Sequence, residues 1–261
     1  MLSHVGHVRS SNEDCVVFVA PAETMRGYEI GFLALVADGM GGHAAGEIAS
    51  AIAAETVRRE VYARSAPPAA VLREAFAAAN RAIRAHAVGD PATAGMGTTC
   101  TAVLVQSGLL WLAHVGDSRA YIMRGGHLHQ LSEDQTLHAR LIRDGAMSAE
   151  EAAVTAGGNV LLQALGADEK IEPQILKHGL PLSRGDRILL CSDGLYAHLD
   201  GPEIAAILRE AAEPEKACLQ LVDAALAGGG SDNISVGVFT IGNVAPHDSR
   251  GQASTRPIQI D

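Results

Sequence analysis

Residues 44–87 carry two helical stretches in succession with no strand between them, and the same pairing recurs at about 202–212 and 214–226. The first stretch, 44–62, is alanine-rich and keeps small residues on its packing face. Pro67-Pro68 stops it, and a second helix is expected over 69–87. In chains built from βαβ units, single helices alternate with parallel strands. Paired helices exclude that order and point to antiparallel sheets with helix pairs packed outside them.

The segments between the helix pairs have strand character. Residues 16–20 and 30–37 read as strands, and the second is apolar on both faces, as a central strand must be. Short apolar runs follow at 98–105, 109–115, 120–123 and 128–131. Their joints are Gln106-Ser107-Gly108, Gly116-Asp117-Ser118 and Arg124-Gly125-Gly126, turn-rich and short enough for hairpins. Further strands are expected at 171–177, 186–192 and 233–241. The more polar segment 133–166, with helical patterns at 136–144 and 148–154, reads as a flap over the sheet edge.

No composition break divides the 261 residues, which are 48% hydrophobic, so one domain over 1–242 is expected. Residues 243–261 lack periodicity and read as a disordered tail. Cys15, Cys100, Cys191 and Cys218 form no close pair and read as small buried thiols in a reducing compartment. The net charge of −10 argues against a nucleic-acid binder, which needs a basic surface. No stretch has membrane-spanning length and the first residues lack signal-peptide layout, so a cytoplasmic protein is expected.

Apolar runs are bounded by acidic turns. Residues 30–37 lead into Asp38-Gly39, 109–115 into Gly116-Asp117-Ser118-Arg119, and 188–192 into Asp193-Gly194. Ser231-Asp232-Asn233 opens the last run. Each dipeptide alone is an ordinary turn. Together they suggest one acidic site assembled from distant segments. Mg2+ and Mn2+ take oxygen ligands. Asp38 has two oxygens with which to bridge two ions, Gly39 allows its carbonyl a close approach, and Asp193 and Asp232 suit a second position. Two adjacent ions polarise a phosphoryl group and activate water.

A rival reading lies in the same place. Gly39-Met40-Gly41-Gly42-His43-Ala44 follows a strand and precedes a helix, as a dinucleotide-binding turn does. Against it, Asp38 would face a pyrophosphate, the helix leads to another helix, and no strand ends in an acidic ribose ligand at the expected distance. Upstream, Arg9-Ser10-Ser11-Asn12-Glu13-Asp14 offers a guanidinium suited to phosphate. Glu13 and Asp14 suit an outer shell of metal-bound waters.

Arg9 to Asp14, Val36 to Glu47, Gly97-Thr98-Thr99-Cys100-Thr101, Gly116 to Arg119, Ser192-Asp193-Gly194 and Ser231-Asp232-Asn233 occur in the order found in metal-dependent protein phosphatases of the PPM (PP2C-like) family. The chain resembles the compact bacterial serine/threonine phosphatases over nearly its whole length. The resemblance implies an α+β fold, a four-layer α-β-β-α sandwich of two antiparallel sheets flanked by helix pairs. It implies Mn2+ or Mg2+, two per domain, and hydrolysis of phosphoserine or phosphothreonine in proteins by metal-activated water, reversing a serine/threonine kinase. By the same resemblance Asp38 bridges the ions, Gly39 gives a carbonyl, and Asp193 and Asp232 hold the second ion. Asp117 joins Asp193 at a weaker third site. Glu13 and Asp14 act through water, Arg9 grips the substrate phosphate, and His43 stands where bacterial members place a histidine suited to protonate the leaving oxygen. A monomer acting on phosphorylated proteins is expected. The alternative is a non-catalytic signalling module that keeps the fold. One departure is visible: the family flap carries a proline and a basic residue where this chain has Thr155-Ala156-Gly157-Gly158 before Asn159.

Overall fold

A computed structural model describes residues 1–20, 31–41, 45–155, 157 and 160–242. One antiparallel sheet has the order β1-β12-β11-β7-β8 and the other β10-β6-β5-β3-β2. The strands of the first are β1 (Leu2–His4), β7 (Arg119–Arg124), β8 (His127–Gln130), β11 (Arg187–Cys191) and β12 (Ile234–Thr240). Those of the second are β2 (Asp14–Val19), β3 (Phe32–Met40), β5 (Cys100–Gln106), β6 (Leu109–Val115) and β10 (Leu180–Pro181), with β4 (Gly97–Thr98) on β3 and β9 (Gln174–Ile175) on β6.

Helices α1 (Ala45–Ala63) and α2 (Pro68–Gly89) cover the second sheet. The flap carries α3 (Leu137–Arg143) and α4 (Ala149–Val154). Helices α5 (Asp193–Tyr196), α6 (Gly201–Glu210) and α7 (Pro214–Ala227) cover the first sheet. The result is the expected α-β-β-α sandwich, and its core has three apolar layers because each sheet buries both faces. Along β3, Leu33, Leu35 and Ala37 pack under α1 and α2, while Ala34 and Val36 face the other sheet. The two-residue period of a strand sends alternate side chains to opposite faces, which is why this run is apolar throughout. Tyr121, Leu189, Ile234 and Val236 belong to the layer under α6 and α7.

Local chemistry sets the helix ends. Pro68 stands at the start of α2, where a missing N–H costs nothing. Ser148 with Glu151 and Asp200 with Glu203 close capping boxes on α4 and α6.

Several boundaries differ from expectation. β3 runs on through Asp38 and Gly39 to Met40, so Asp38 lies inside a strand, opposite Asp14. Asp14 itself begins β2, and β1 precedes it. The strand expected at 171–177 is reduced to β9, and β1, β10 and α5 were not foreseen. His43, the segment 243–261 and part of the flap (Ala156, Gly158, Asn159) lie outside the described residues.

Candidate active site

The acidic residues meet in one cleft of about 470 Å3, whose walls include Arg9, Glu13, Asp38, Gly39, Asp117, Asp193 and Asp232. Both sheets deliver them. Asp38 comes from β3, Asp117 from the turn after β6, Asp193 from the first turn of α5 and Asp232 from the approach to β12.

Asp38 is fixed through its backbone. Its N–H donates to Thr99 Oγ1 at 2.9 Å, and its carbonyl accepts from Thr99 N–H and Thr98 Oγ1, both at 2.9 Å. Thr99 Oγ1 in turn meets Ser118 Oγ at 2.7 Å, which ties the Asp38 strand to the Asp117 turn. At Gly39 the strand runs hard against α1: a Cβ there would collide with the carbonyl oxygen of Gly46 and with that of Glu13. Only glycine allows this approach.

Arg9 and Glu13 reach the cleft because one amide holds their loop. Asn233 donates from Nδ2 to the carbonyls of Val5 and Ser11, both at 2.9 Å. Its Oδ1 accepts from Glu13 N–H at 2.8 Å. Gly39 N–H donates to the Glu13 carbonyl at 3.1 Å.

The electrostatics are those of crowded, poorly hydrated carboxylates. Burial first, and then Asp14, Asp193, Asp117 and Asp232, raise the Asp38 carboxyl well above the usual range. Burial, opposed by hydrogen bonds from Ser235 and Ser192, pushes Asp14 up to about 6. Burial and then Asp193 push Asp117 up to about 7. Asp193 is raised by burial and then by Asp232. Two oxygens, Asp14 Oδ1 and Asp193 Oδ1, are shut off from solvent with no hydrogen-bond partner. A buried carboxylate oxygen left bare is costly, and a cation relieves it. Among the described residues no group of three or more His, Cys, Asp or Glu is placed to hold a metal ion by itself. Carboxylates that repel one another stand apart, and Mg2+ and Mn2+ complete their shells with carbonyls and water. The donor set, hard oxygens with two bare, fits such an ion.

Arg9 does not stand free to meet phosphate: its Nη2 donates to Asp232 Oδ2 at 2.6 Å. Among the described residues Arg9 is the one arginine lining the cleft, and Asp232, in the same lining, is the carboxylate it pairs with. The pair is open to water, with the Arg9 side chain 56% exposed, so it holds weakly.

Residues whose roles the motifs did not reveal bind the flap root to the Asp117 turn. Gln135 accepts from Gly116 N–H through Oε1 at 3.0 Å and donates its own N–H to the Gly116 carbonyl at 2.8 Å. Arg119 forms a two-pronged pair with Asp134 and lies 3.5 Å over the Tyr196 ring. Tyr196 donates its hydroxyl to the Asp117 carbonyl at 3.1 Å. His114 is fully buried between Thr101 Oγ1 and the Glu133 carbonyl, and burial pushes it down to about 4.

This sandwich with its acidic cleft defines a class. The protein phosphatase 2C pattern matches residues 22–227, and the chain belongs to that family. It is 36% identical over 254 residues to the serine/threonine protein phosphatase PstP of Mycobacterium tuberculosis, covering 97% of this chain and 45% of that protein. The chain thus spans about half the length of that relative. The serine/threonine phosphatase stp of Listeria monocytogenes is 34% identical over 209 residues, 78% of this chain and 82% of the relative. The catalytic domain of PstP, solved in complex with two manganese ions, superposes with a TM-score of 0.80 at 35% identity, over 93% of this chain and 96% of that one. Among the described residues no helix is long and apolar enough to cross a membrane.

Proposed function

We propose that this chain hydrolyses phosphoserine and phosphothreonine in proteins, with divalent cations in the acidic cleft, and reverses a serine/threonine kinase in the cytoplasm. The observation that carries the reading is the convergence of Asp38, Asp117, Asp193 and Asp232 on one cleft beside Arg9, with the Asp193 Oδ1 bare.

Asp38, the Gly39 carbonyl, Asp193 and Asp232 would hold two cations, Mn2+ or Mg2+, and Asp117 with Asp193 a third. Bound there, the ions supply positive charge toward a phosphoryl group and make water nucleophilic near neutral pH. The chain's own residues do the rest. Arg9 exchanges Asp232 for a phosphate oxygen and orients the group by its forked donors. Ser192 Oγ, donating to Asp14 Oδ2 at 2.7 Å, fixes the Asp14 carboxyl, which stands behind the cleft wall and not in it. Glu13 and Asp14 accept from waters of the outer shell. Met40 and Leu161 line the cleft with apolar surface and limit free water beside the reacting group. His43 is the proposed donor of a proton to the leaving serine or threonine oxygen.

The test is Asp193→Ala. Mn2+-dependent hydrolysis of p-nitrophenyl phosphate is expected to drop more than about 100-fold, since even outer-shell substitutions cost 10- to 100-fold. Circular dichroism and cooperative melting are expected to persist. A folded variant with near-normal turnover would overturn the assignment. Loss of all activity in the unaltered chain would favour the non-catalytic module.

A further inference from the structure

Asp193 and Tyr196 are the first and last residues of α5, and residues three apart on a helix share a face. The helix is a single turn, yet it is firmly seated. Leu195 is fully buried in the layer under α6 and α7. A Cβ on Gly194 would collide with the Asn233 carbonyl oxygen, so α5 lies directly on the approach to β12. The Tyr196 ring is held as well. The Arg119 guanidinium sits 3.5 Å from its centroid and is itself fixed by the two-pronged pair with Asp134. From that position the Tyr196 hydroxyl donates to the Asp117 carbonyl at 3.1 Å.

Other bonds hold the Asp117 turn from different sides. Gln135 holds Gly116 from the flap root. Ser118 Oγ meets Thr99 Oγ1 at 2.7 Å, and the Ser118 carbonyl accepts from Thr101 Oγ1 at 2.8 Å. Tyr196 adds the tie to α5, the element that carries Asp193. Both carboxylates line the cleft, and after burial Asp193 is the strongest influence on the Asp117 carboxyl. A hard cation held by two carboxylates tolerates only a narrow range of oxygen spacing, and here the two come from separate segments. This inference rests on the phosphatase reading above and concerns its third cation. We propose that Tyr196 is a positioning residue that sets the spacing of Asp117 from Asp193, and with it the affinity of the site they share. It acts through the backbone of Asp117 and touches neither ion nor substrate.

The experiment strips the whole chain of metal with a chelator and titrates it with Mn2+, using calorimetry for affinity and paramagnetic resonance of free Mn2+ to count sites. The unaltered chain is expected to take two ions tightly and a third weakly. Tyr196→Phe removes one oxygen and keeps the ring beneath Arg119, so folding and cooperative melting are expected to persist. It should raise the Kd of the weakest site about ten-fold and leave the tighter two within about two-fold. Asp117→Asn should lose the weak site outright. Adding Tyr196→Phe to Asp117→Asn should then change Mn2+ binding no further, although Tm still falls, as a double-mutant cycle requires if Tyr196 acts through Asp117. A folded Tyr196→Phe variant with its third Kd unchanged, or with all three sites weakened equally, would overturn this inference and leave the phosphatase reading standing. So would an unaltered chain that binds only two ions and still hydrolyses p-nitrophenyl phosphate. Neither Mn2+ uptake nor turnover in the unaltered chain would remove both readings.

Discussion

The carboxamide of Asn233 is completely engaged: its acceptor takes Glu13 N–H and its donors serve Val5 and Ser11. Removing it strands these partners in a site where Asn233 is only 5% exposed. Asn233→Ala is therefore expected to cost about 2–3 kcal/mol in urea unfolding, at about 1 kcal/mol for each hydrogen bond lost. Arg9 behaves differently. Its pair with Asp232 is solvent-exposed, so Arg9→Ala should change stability by less than about 0.5 kcal/mol. Its KM for a phosphopeptide should rise about ten-fold or more, as expected when a charged contact is removed. An unchanged KM would argue against phosphate contact. The aspartates were legible in sequence because each sits in a motif of its own. The role of Asn233 was not, although its motif was in view. Its partners lie more than 200 residues away, and no local pattern records them.

At the scale of elements, β3 and α1 cross so closely that Gly39 and Gly46 abut. Gly39→Ala must push the helix from the strand. Over-packing of this kind costs about 1–3 kcal/mol. The variant should melt lower and lose metal-dependent turnover, because Asp38 shifts with the strand; a variant as stable and active as the parent would refute the contact. The paired helices and the central strand were readable from composition and period. Asp38 was placed at a strand end because the apolar run stops there. The ladder continues because β2 and β4 supply partners to polar residues as readily as to apolar ones. β1 and β10 have three and two residues and exist by virtue of their neighbours, so their own sequence carries too little periodicity to announce them.

For the whole molecule, the raised carboxyls link stability to pH. A carboxyl whose folded pKa exceeds its unfolded value of about 3.9 keeps a proton that the unfolded chain has released. Stability is then lost as pH rises through that interval, which ends near 7 for Asp117, and Asp38, also raised well above the usual range, acts in the same direction. His114 works the opposite way: its depressed pKa makes stability fall as pH drops from about 6.5 toward about 4. Above pH 6.5 the unfolded chain holds progressively less of the His114 proton, so that opposing contribution shrinks and the Asp117 carboxyl outweighs it up to about 7. Without divalent ions, Tm should decline across that window. Added Mn2+ should raise Tm more at pH 7.5 than at 6.5, reaching about 2.7 kcal/mol per site at a hundred-fold excess over Kd. Scanning calorimetry decides the matter, and a pH-independent increment would contradict it.

Residue 2 pairs with residue 236 across β1 and β12, and Arg9 meets Asp232 across 223 positions of chain. During synthesis, an emerging polypeptide therefore displays Asp38 long before it has Asp193 or Asp232. The cleft closes only when the last strand arrives to zip the earliest residues into place, and such distant closures are slow. A ribosome-tethered chain halted before Asp232 should be inert toward phosphoproteins. Full activity would then appear late and at once, timed by translation.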